Sequence, residues 1–220
     1  MTNFFSHIDT LLFDLDGTLI DSSEGVVDCF YYARDRIGVP RPPPEAIKAT
    51  IGYPLDEAFA RFTDHDPRQC YDLFQARARE VLVGSAFLLE GVLEILEYLH
   101  AQGYILGVAT TKRSEHVVGI LGRLGALRLF SAWSGSDEVR RVKPDPEVLH
   151  LTLRKLGRSA DRSVYVGDTS LDIRAARSAG LSAIAVLGGT GSREELEGAD
   201  VIIERFADLK GLFRGMRNEE

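Results

Sequence analysis

Residues 10–21 read Thr10-Leu11-Leu12-Phe13-Asp14-Leu15-Asp16-Gly17-Thr18-Leu19-Ile20-Asp21, an apolar run that gives way to two aspartates, a glycine and a threonine. Such a run, closed by turn-forming residues, is the pattern of a strand covered on both faces. Related runs recur at 104–109, 131–134, 163–167, 182–187 and 200–203. Between them lie helical stripes: Val92, Ile95, Leu96 and Leu99, then Leu149, Thr152, Leu153 and Leu156, then the small-faced Ile173, Ala176 and Ala179. Strand and helix in alternation predict an α/β fold, a doubly wound, Rossmann-like parallel sheet.

The alternation breaks once. Over roughly 22–84 only helical patterns occur, with Val26, Phe30, Ala33 and Ile37 on a first stripe and Cys70, Leu73, Phe74, Ala78 and Val81 on a last one. The prolines at 40, 42, 43 and 44 and the pair Asp66-Pro67 separate them. The expectation is a helical cap at 22–84 inserted into a core made of 1–21 and 85–220. Entered and left through adjacent linkers, such a cap can hinge over the carboxyl edge of the sheet.

Composition narrows the function. The chain has 220 residues, 45% apolar and 27% charged, and a net charge of −7 from 26 basic and 33 acidic residues. A chain of this size buries roughly 70% of its unfolded surface, so neither disulfides nor a structural metal are needed. The acidic balance excludes nucleic acid and anionic membranes as partners. No run is long enough to span a bilayer. Cys29 and Cys70 read as reduced core thiols of a cytoplasmic protein, and the spacing of the five histidines offers no helical zinc pair. The sequence leaves monomer and homodimer open.

In open parallel sheets, ligands bind beyond the carboxyl ends of the strands. Those ends carry Asp14, Asp16, Gly17 and Thr18; Thr110, Thr111 and Lys112; and Asp168 with Asp172 four residues on, while Lys143 precedes the helix before that last strand. Two carboxylates about 4 Å apart repel by about 4 kcal/mol at an effective dielectric near 20, so four of them call for a cation, and hard oxygens call for Mg²⁺. The turn Thr110-Thr111-Lys112 opens a helix at Ser114, and its amides with a hydroxyl are expected to hold an anion, phosphate above all. Asp14 and Asp16 are expected on one side of the strand, with Gly17 turning the backbone tightly beyond them. The glycines of 188–191 are expected to form a loop and helix cap, and Gly119, Gly122 and Gly125 to allow close helix packing.

DLDGTLID, ATTK, VKPDP and GDTSLD, in that order around an inserted helical cap, resemble the haloacid dehalogenase superfamily, and the spacing is most similar to phosphoglycolate phosphatase-like enzymes. The resemblance covers nearly the whole chain. It implies a Mg²⁺-dependent phosphomonoester hydrolase with Asp14 as nucleophile, Asp16 as general acid and base, and Thr110 and Lys143 holding the phosphoryl group. It implies that Asp14, the backbone carbonyl of Asp16 and Asp168 bind the metal, with Asp172 as a supporting carboxylate. It also implies that the cap turn at Gly52 and Tyr53 reaches over the site beside Gly17, Thr111 and Lys112. The substrate expected is a small phosphate ester, phosphoglycolate first, on the argument that a closed cap leaves little room.

The similar dehalogenases lack the second catalytic aspartate, so Asp16 argues against that chemistry, and three other readings compete. A sugar phosphate mutase of the β-phosphoglucomutase type usually carries adjacent acids where GDTSLD spaces them by four. A phosphonatase needs a cap lysine, for which only Lys48 is present. A catalytically idle phosphate-binding module has no reason to keep like charges packed together.

Overall fold

The computed structural model describes residues 5–213. In chain order the elements are β1 (Thr10–Phe13), β2 (Ile20–Asp21), α1 (Ser23–Ile37), α2 (Pro44–Lys48), α3 (Leu55–Ala60), α4 (Pro67–Ser85), β3 (Phe87–Leu88), α5 (Val92–Ala101) and β4 (Ile105–Ala109). There follow α6 (Ser114–Arg123), β5 (Ala132–Ser134), α7 (Glu147–Leu156), β6 (Ser163–Gly167), α8 (Ser170–Ala179), β7 (Ser182–Val186), β8 (Val201–Ile203) and α9 (Leu209–Leu212). The main sheet is six-stranded and parallel, in the order β5-β4-β1-β6-β7-β8. The order runs outward in both directions from β1, the doubly wound arrangement, and places its crevice at the end of β1.

The period of two along each strand sorts the core into two layers. Leu11, Phe13, Val164, Val166, Ile184 and Val186 face α5, α6 and α9, where Phe13 meets Phe130 edge-on and tilts against Phe206. Leu12, Tyr165, Ala183 and Ala185 face α7 and α8, and the small Ala183 and Ala185 share that layer with Ala175, Ala176 and Ala179 of α8. Small residues on both sides bring α8 close to the sheet, and a capping box between Thr169 and Asp172 fixes where that helix begins.

The stretch read as wholly helical contains α1 to α4, and these helices have an apolar cluster of their own. Phe30 stacks on Phe59 at 4.2 Å and meets Phe62 and Phe74 edge-on, beside Cys29, Cys70, Ala33, Ala78 and Leu82. Both cysteines are free and buried. The chain enters and leaves this unit through β2 and β3, a two-stranded antiparallel ribbon too short for the sequence pattern to reveal.

Gly119 does allow a close contact, since a Cβ there would lie 2.8 Å from Val83 of α4. Gly122 and Gly125 do not: neither has a neighbour that a Cβ would crowd, and Gly125 is present for its positive φ of 73° after α6. Removing the Phe59 ring from the helical cluster should be expensive. Phe59→Ala is expected to lose about 3–5 kcal/mol in urea unfolding, and a loss below about 1 kcal/mol would show that these helices lack a packed core.

Candidate active site

The first strand ends earlier than its sequence pattern suggests. β1 stops at Phe13, and the amide of Asp14 makes the last ladder bond, to the Val166 carbonyl at 2.9 Å. Asp14 and Asp16 therefore sit in the turn beyond the strand, and the expected two-residue alternation does not govern them. Gly17 adopts a φ of 80°, its amide donates to the Ile20 carbonyl at 2.9 Å, and Leu19 and Ile20 donate back to Leu15. A side chain at Gly17 would also collide with the Asp168 carboxylate.

Asp14, Asp168 and Asp172 each bring a carboxylate oxygen within 4.8 Å of the others, and all three are buried. Lys143, fully buried, pairs with Asp14 at 2.8 Å and with Asp172 at 2.6 Å, and donates to the Tyr165 hydroxyl. Burial pushes the Asp14 carboxyl up to about 6 although Lys143 opposes it, and burial with Asp172 and Asp14 nearby pushes Asp168 up to about 8. Burial disfavours the Lys143 ammonium too, but the two carboxylates outweigh it and hold that group above its ordinary value. Oδ2 of Asp14 has no hydrogen-bond partner among the described residues. A buried, unpartnered carboxylate oxygen in a cluster more negative than its one lysine can balance fits a bound divalent cation. Asp172 is more fully committed: one oxygen takes Lys143, and the other accepts from the Thr169 hydroxyl at 2.6 Å and from the Thr169 and Asp168 amides.

Asp16 lies outside that cluster. Its carboxylate pairs with Lys112 at 3.0 Å and accepts a short bond from the Ser22 hydroxyl. The sequence places four carboxylates at one edge, balanced by a metal and Lys143; the structure groups three and gives the fourth an ammonium of its own. It also alters the expected anion site. The Ser114 amide is capped by Asp137 at 2.7 Å, the Thr110 amide belongs to the β5 ladder, and the Lys112 amide donates to the Thr110 hydroxyl oxygen. Among the described residues, the amides of Thr111, Leu15 and Asp16 make no hydrogen bond, so the last two, absent from the sequence reading, join Thr111 as donors open to an anion.

Other contributors had a weaker signal. Thr18 donates to one Asp168 oxygen at 2.9 Å and the Thr190 amide to the other at 2.8 Å. The glycines of 188–191 do form a loop, and its purpose is close approach: a Cβ at Gly189 would strike the Asp168 carboxylate. On the helical side, the Gly52 carbonyl accepts from the Thr111 hydroxyl at 3.3 Å, and the Tyr53 ring lies 4.5 Å beneath the Arg61 guanidinium. Lys48 pairs with Glu45 at 2.9 Å, which raises its ammonium above the ordinary value and suits it poorly to Schiff-base chemistry.

Comparison with known proteins bears on this arrangement. Residues 11–186 match the family described as haloacid dehalogenase-like hydrolase. The chain belongs to that family. It is 35% identical over 210 residues to a probable phosphatase, IndB, of Dickeya dadantii, covering 91% of both chains. It is 34% identical over 212 residues to a phosphoglycolate phosphatase of Pectobacterium atrosepticum, covering 90% of this chain and 89% of the other. A haloacid dehalogenase-like hydrolase structure from Streptococcus pneumoniae superposes with a TM-score of 0.88 at 27% identity, over 95% of this chain and all of that one. As a haloacid dehalogenase-like hydrolase with phosphatases among its relatives, the protein is an enzyme of the phosphatase kind. No helix among its described residues is long and apolar enough to cross a membrane.

The raised carboxyls set a stability signature. Unfolded aspartate titrates at about 3.9, so Asp14 up to about 6 and Asp168 up to about 8 bind more protons in the folded, metal-free chain than in the unfolded one, which outweighs the single His116 ring, held down at about 4, that binds fewer. The stability of the metal-free chain should therefore fall as pH rises through that window. In chelator, the melting temperature is expected to drop between about pH 5.5 and pH 8.5, with added Mg²⁺ raising it more at the higher pH. An equal Mg²⁺-induced rise at both pH values would contradict the assignment.

Proposed function

We propose that the protein is a Mg²⁺-dependent phosphomonoester hydrolase that works through an aspartyl-phosphate on Asp14 and acts on a small phosphorylated metabolite. The observation that carries this reading is the division of labour among the aspartates: Asp14 is buried beside Lys143, and Asp16 stands apart with Lys112 and Ser22.

An Asp14 oxygen attacks phosphorus while the bond to the leaving alcohol breaks, and Asp16 in its protonated form gives that alcohol its proton. The resulting Asp16 carboxylate then takes a proton from water, which attacks the phosphoenzyme, frees phosphate and restores Asp14. Lys143 balances charge on the transferring oxygens, and Thr110 with the amides of Leu15, Asp16 and Thr111 orients them. Mg²⁺, held by Asp14, Asp168 and the Asp16 carbonyl, supplies the remaining positive charge. The commitment of both Asp172 oxygens favours a role in aiming Lys143 over direct ligation.

We read residues 22–84 as a cap over a core of 1–21 and 85–220, with Gly52 and Tyr53 closing on Gly17, Thr111 and Lys112. The ribbon of β2 and β3 supports this, because it carries both linkers at one point. The free buried cysteines suit the cytoplasm. Phosphoglycolate, favoured by the sequence resemblance and by the name of the Pectobacterium relative, is the reference ester for ranking leaving groups.

Rapid quench with an activated phosphate ester separates the two aspartates. Asp14→Asn should abolish turnover and leave no trapped phosphoenzyme, whereas Asp16→Asn should slow poor leaving groups by about 10²–10⁴-fold and still accumulate phosphoenzyme from an activated one. Equal losses with no phosphoenzyme in either variant would remove the assignment. Activity should also vanish in chelator and return with Mg²⁺ more fully than with Ca²⁺, whose longer bonds and higher coordination number misplace the nucleophile. Full turnover in excess chelator would contradict a metal requirement.

A further inference from the structure

Between the carboxyl edge of the sheet and helices α1, α3 and α4 lies a cavity of about 410 Å³, with Asp16 and Lys112 on its core side and Phe30 and Phe74 in its wall. A substrate has to reach it past one edge of the helical unit or another. Tyr71 of α4 borders the cavity on one side, and the turn at Gly52 and Tyr53 borders it on another. The bonds that tie these two edges to the core differ in kind and in strength.

Along α4 the attachment is continuous. Tyr71, Arg79 and Val83 are spaced by multiples of four residues, hence lie on one face of the helix, and they meet Arg113, Glu115 and Gly119 in the same order along α6. The Arg113 guanidinium donates to the Tyr71 hydroxyl at 3.4 Å, Arg79 pairs with Glu115 at 3.9 Å, and the missing side chain of Gly119 lets Val83 approach. At the far end Arg123 donates to the carbonyls of Val83 and Ala86. A helix leaves its last carbonyls without an internal partner, so this guanidinium caps α4 with charge-assisted bonds at the negative end of its dipole. The linker that follows α4 is therefore clamped to the core.

The opposite edge is held lightly. Among the described residues, α2, α3 and the turn joining them make a single hydrogen bond to the core, a neutral one of 3.3 Å from the Thr111 hydroxyl to the Gly52 carbonyl. Lys48 spends its charge on Glu45 of its own helix. Between α2 and the loop at 188–190 lies a second cavity of about 320 Å³, bordered by Glu45, Lys48 and Ile51 on one side and by Gly17, Gly189 and Thr190 on the other. Gly52 comes close to the core, since a Cβ on it would lie 3.0 Å from the Thr169 side chain, but it touches without being anchored.

We propose that α4 and α6 stay together through the catalytic cycle, that the helical unit turns about their seam, and that substrate enters and product leaves at the opposite edge, where the Gly52 turn lifts from Thr111 and Thr169. Opening there breaks one neutral hydrogen bond, whereas opening at the seam would strip Arg123 of its carbonyls and unpack Val83 from Gly119. The segments that move are those with the fewest bonds to lose. Tyr71 keeps its place beside the cavity in both states, and Gly52 with Tyr53 completes the closure. The inference rests on the reading of 22–84 as a cap and deepens it by naming the axis and the door.

The double variant Val83→Cys/Gly119→Cys tests the seam. A Cβ at 119 lies 3.9 Å from that of Val83, inside the range of about 3.5–4.5 Å that disulfides span, and cysteine at 83 removes the methyl that would crowd it. With an activated phosphate ester in Mg²⁺, the oxidised variant should keep kcat and kcat/KM within about twofold of the same variant reduced by dithiothreitol, because a locked seam does not gate turnover. A loss of about tenfold or more on oxidation, reversed by dithiothreitol, would show that α4 has to leave α6 and would overturn the proposal. The door is tested on the wild type, where no substitution can disturb folding, by hydrogen exchange in chelator and in Mg²⁺ with inorganic phosphate. Amides over 44–54 should slow by about tenfold on ligation, while those over 78–86 and 117–123 hold their rates. Slowing at the seam as large as that over 44–54, or none over 44–54, overturns the proposal. If neither the wild type nor the reduced variant hydrolyses any ester, the phosphatase reading falls, and the exchange pattern decides the hinge alone.

Discussion

Lys143 has no exposed surface and sits between two carboxylates, Asp14 and Asp172, with Asp168 completing the cluster. Taking these charges out of water is unfavourable, and their mutual attraction repays it only where the remaining lone pairs are satisfied. Much of the surrounding sequence does that. The Thr169 hydroxyl and the amides of Asp168 and Thr169 hold Asp172, Thr18 and the Thr190 amide hold Asp168, and the Tyr165 hydroxyl accepts from Lys143 and donates to the Ala109 carbonyl at 2.6 Å. Gly17 and Gly189 are side-chain-free where the Asp168 carboxylate needs room. The unbalanced oxygen of Asp14 is what remains, and it marks where positive charge from outside the chain is wanted.

The same edge of the sheet divides two environments. On the β6 side the carboxylates are dry and tightly bonded; toward the helices, Asp16 sits with Lys112 and Ser22 against a cavity walled by aromatic rings. A group that exchanges protons with a leaving alcohol needs access to that alcohol, whereas a nucleophile and its metal need a fixed, low-dielectric setting. The turn at Gly17 creates the separation by sending the chain away from the sheet directly after Asp16.

How much of this was legible in the sequence depended on how local each feature is. The strands at 163–167 and 182–187, the helix opening at Ser114 and the run of helices after residue 22 follow from periodicity and turn residues, and the structure has them within a residue or two. Asp14, Asp168 and Asp172 were legible as a group because all stand at strand ends or just beyond, and Lys143 joined them through the VKPDP resemblance. The ends of β1 and the pairing of Asp16 were not: the first depends on a ladder bond to Val166, the second on Lys112, 96 residues later. The roles of Thr18 and Gly189 rest on contacts with Asp168 that span 150 and 21 residues, and no local pattern encodes those.

Calorimetric titration of the metal-free protein with Mg²⁺, repeated at pH 7 in buffers of different ionisation enthalpy, tests the carboxylate cluster most directly. Burial and the neighbouring carboxylates push the Asp168 carboxyl up to about 8, so Mg²⁺ binding at pH 7 is expected to release protons. Asp168→Asn should lose both the site and the release. Tight Mg²⁺ binding without proton release, or binding that survives Asp168→Asn unchanged, would contradict the account.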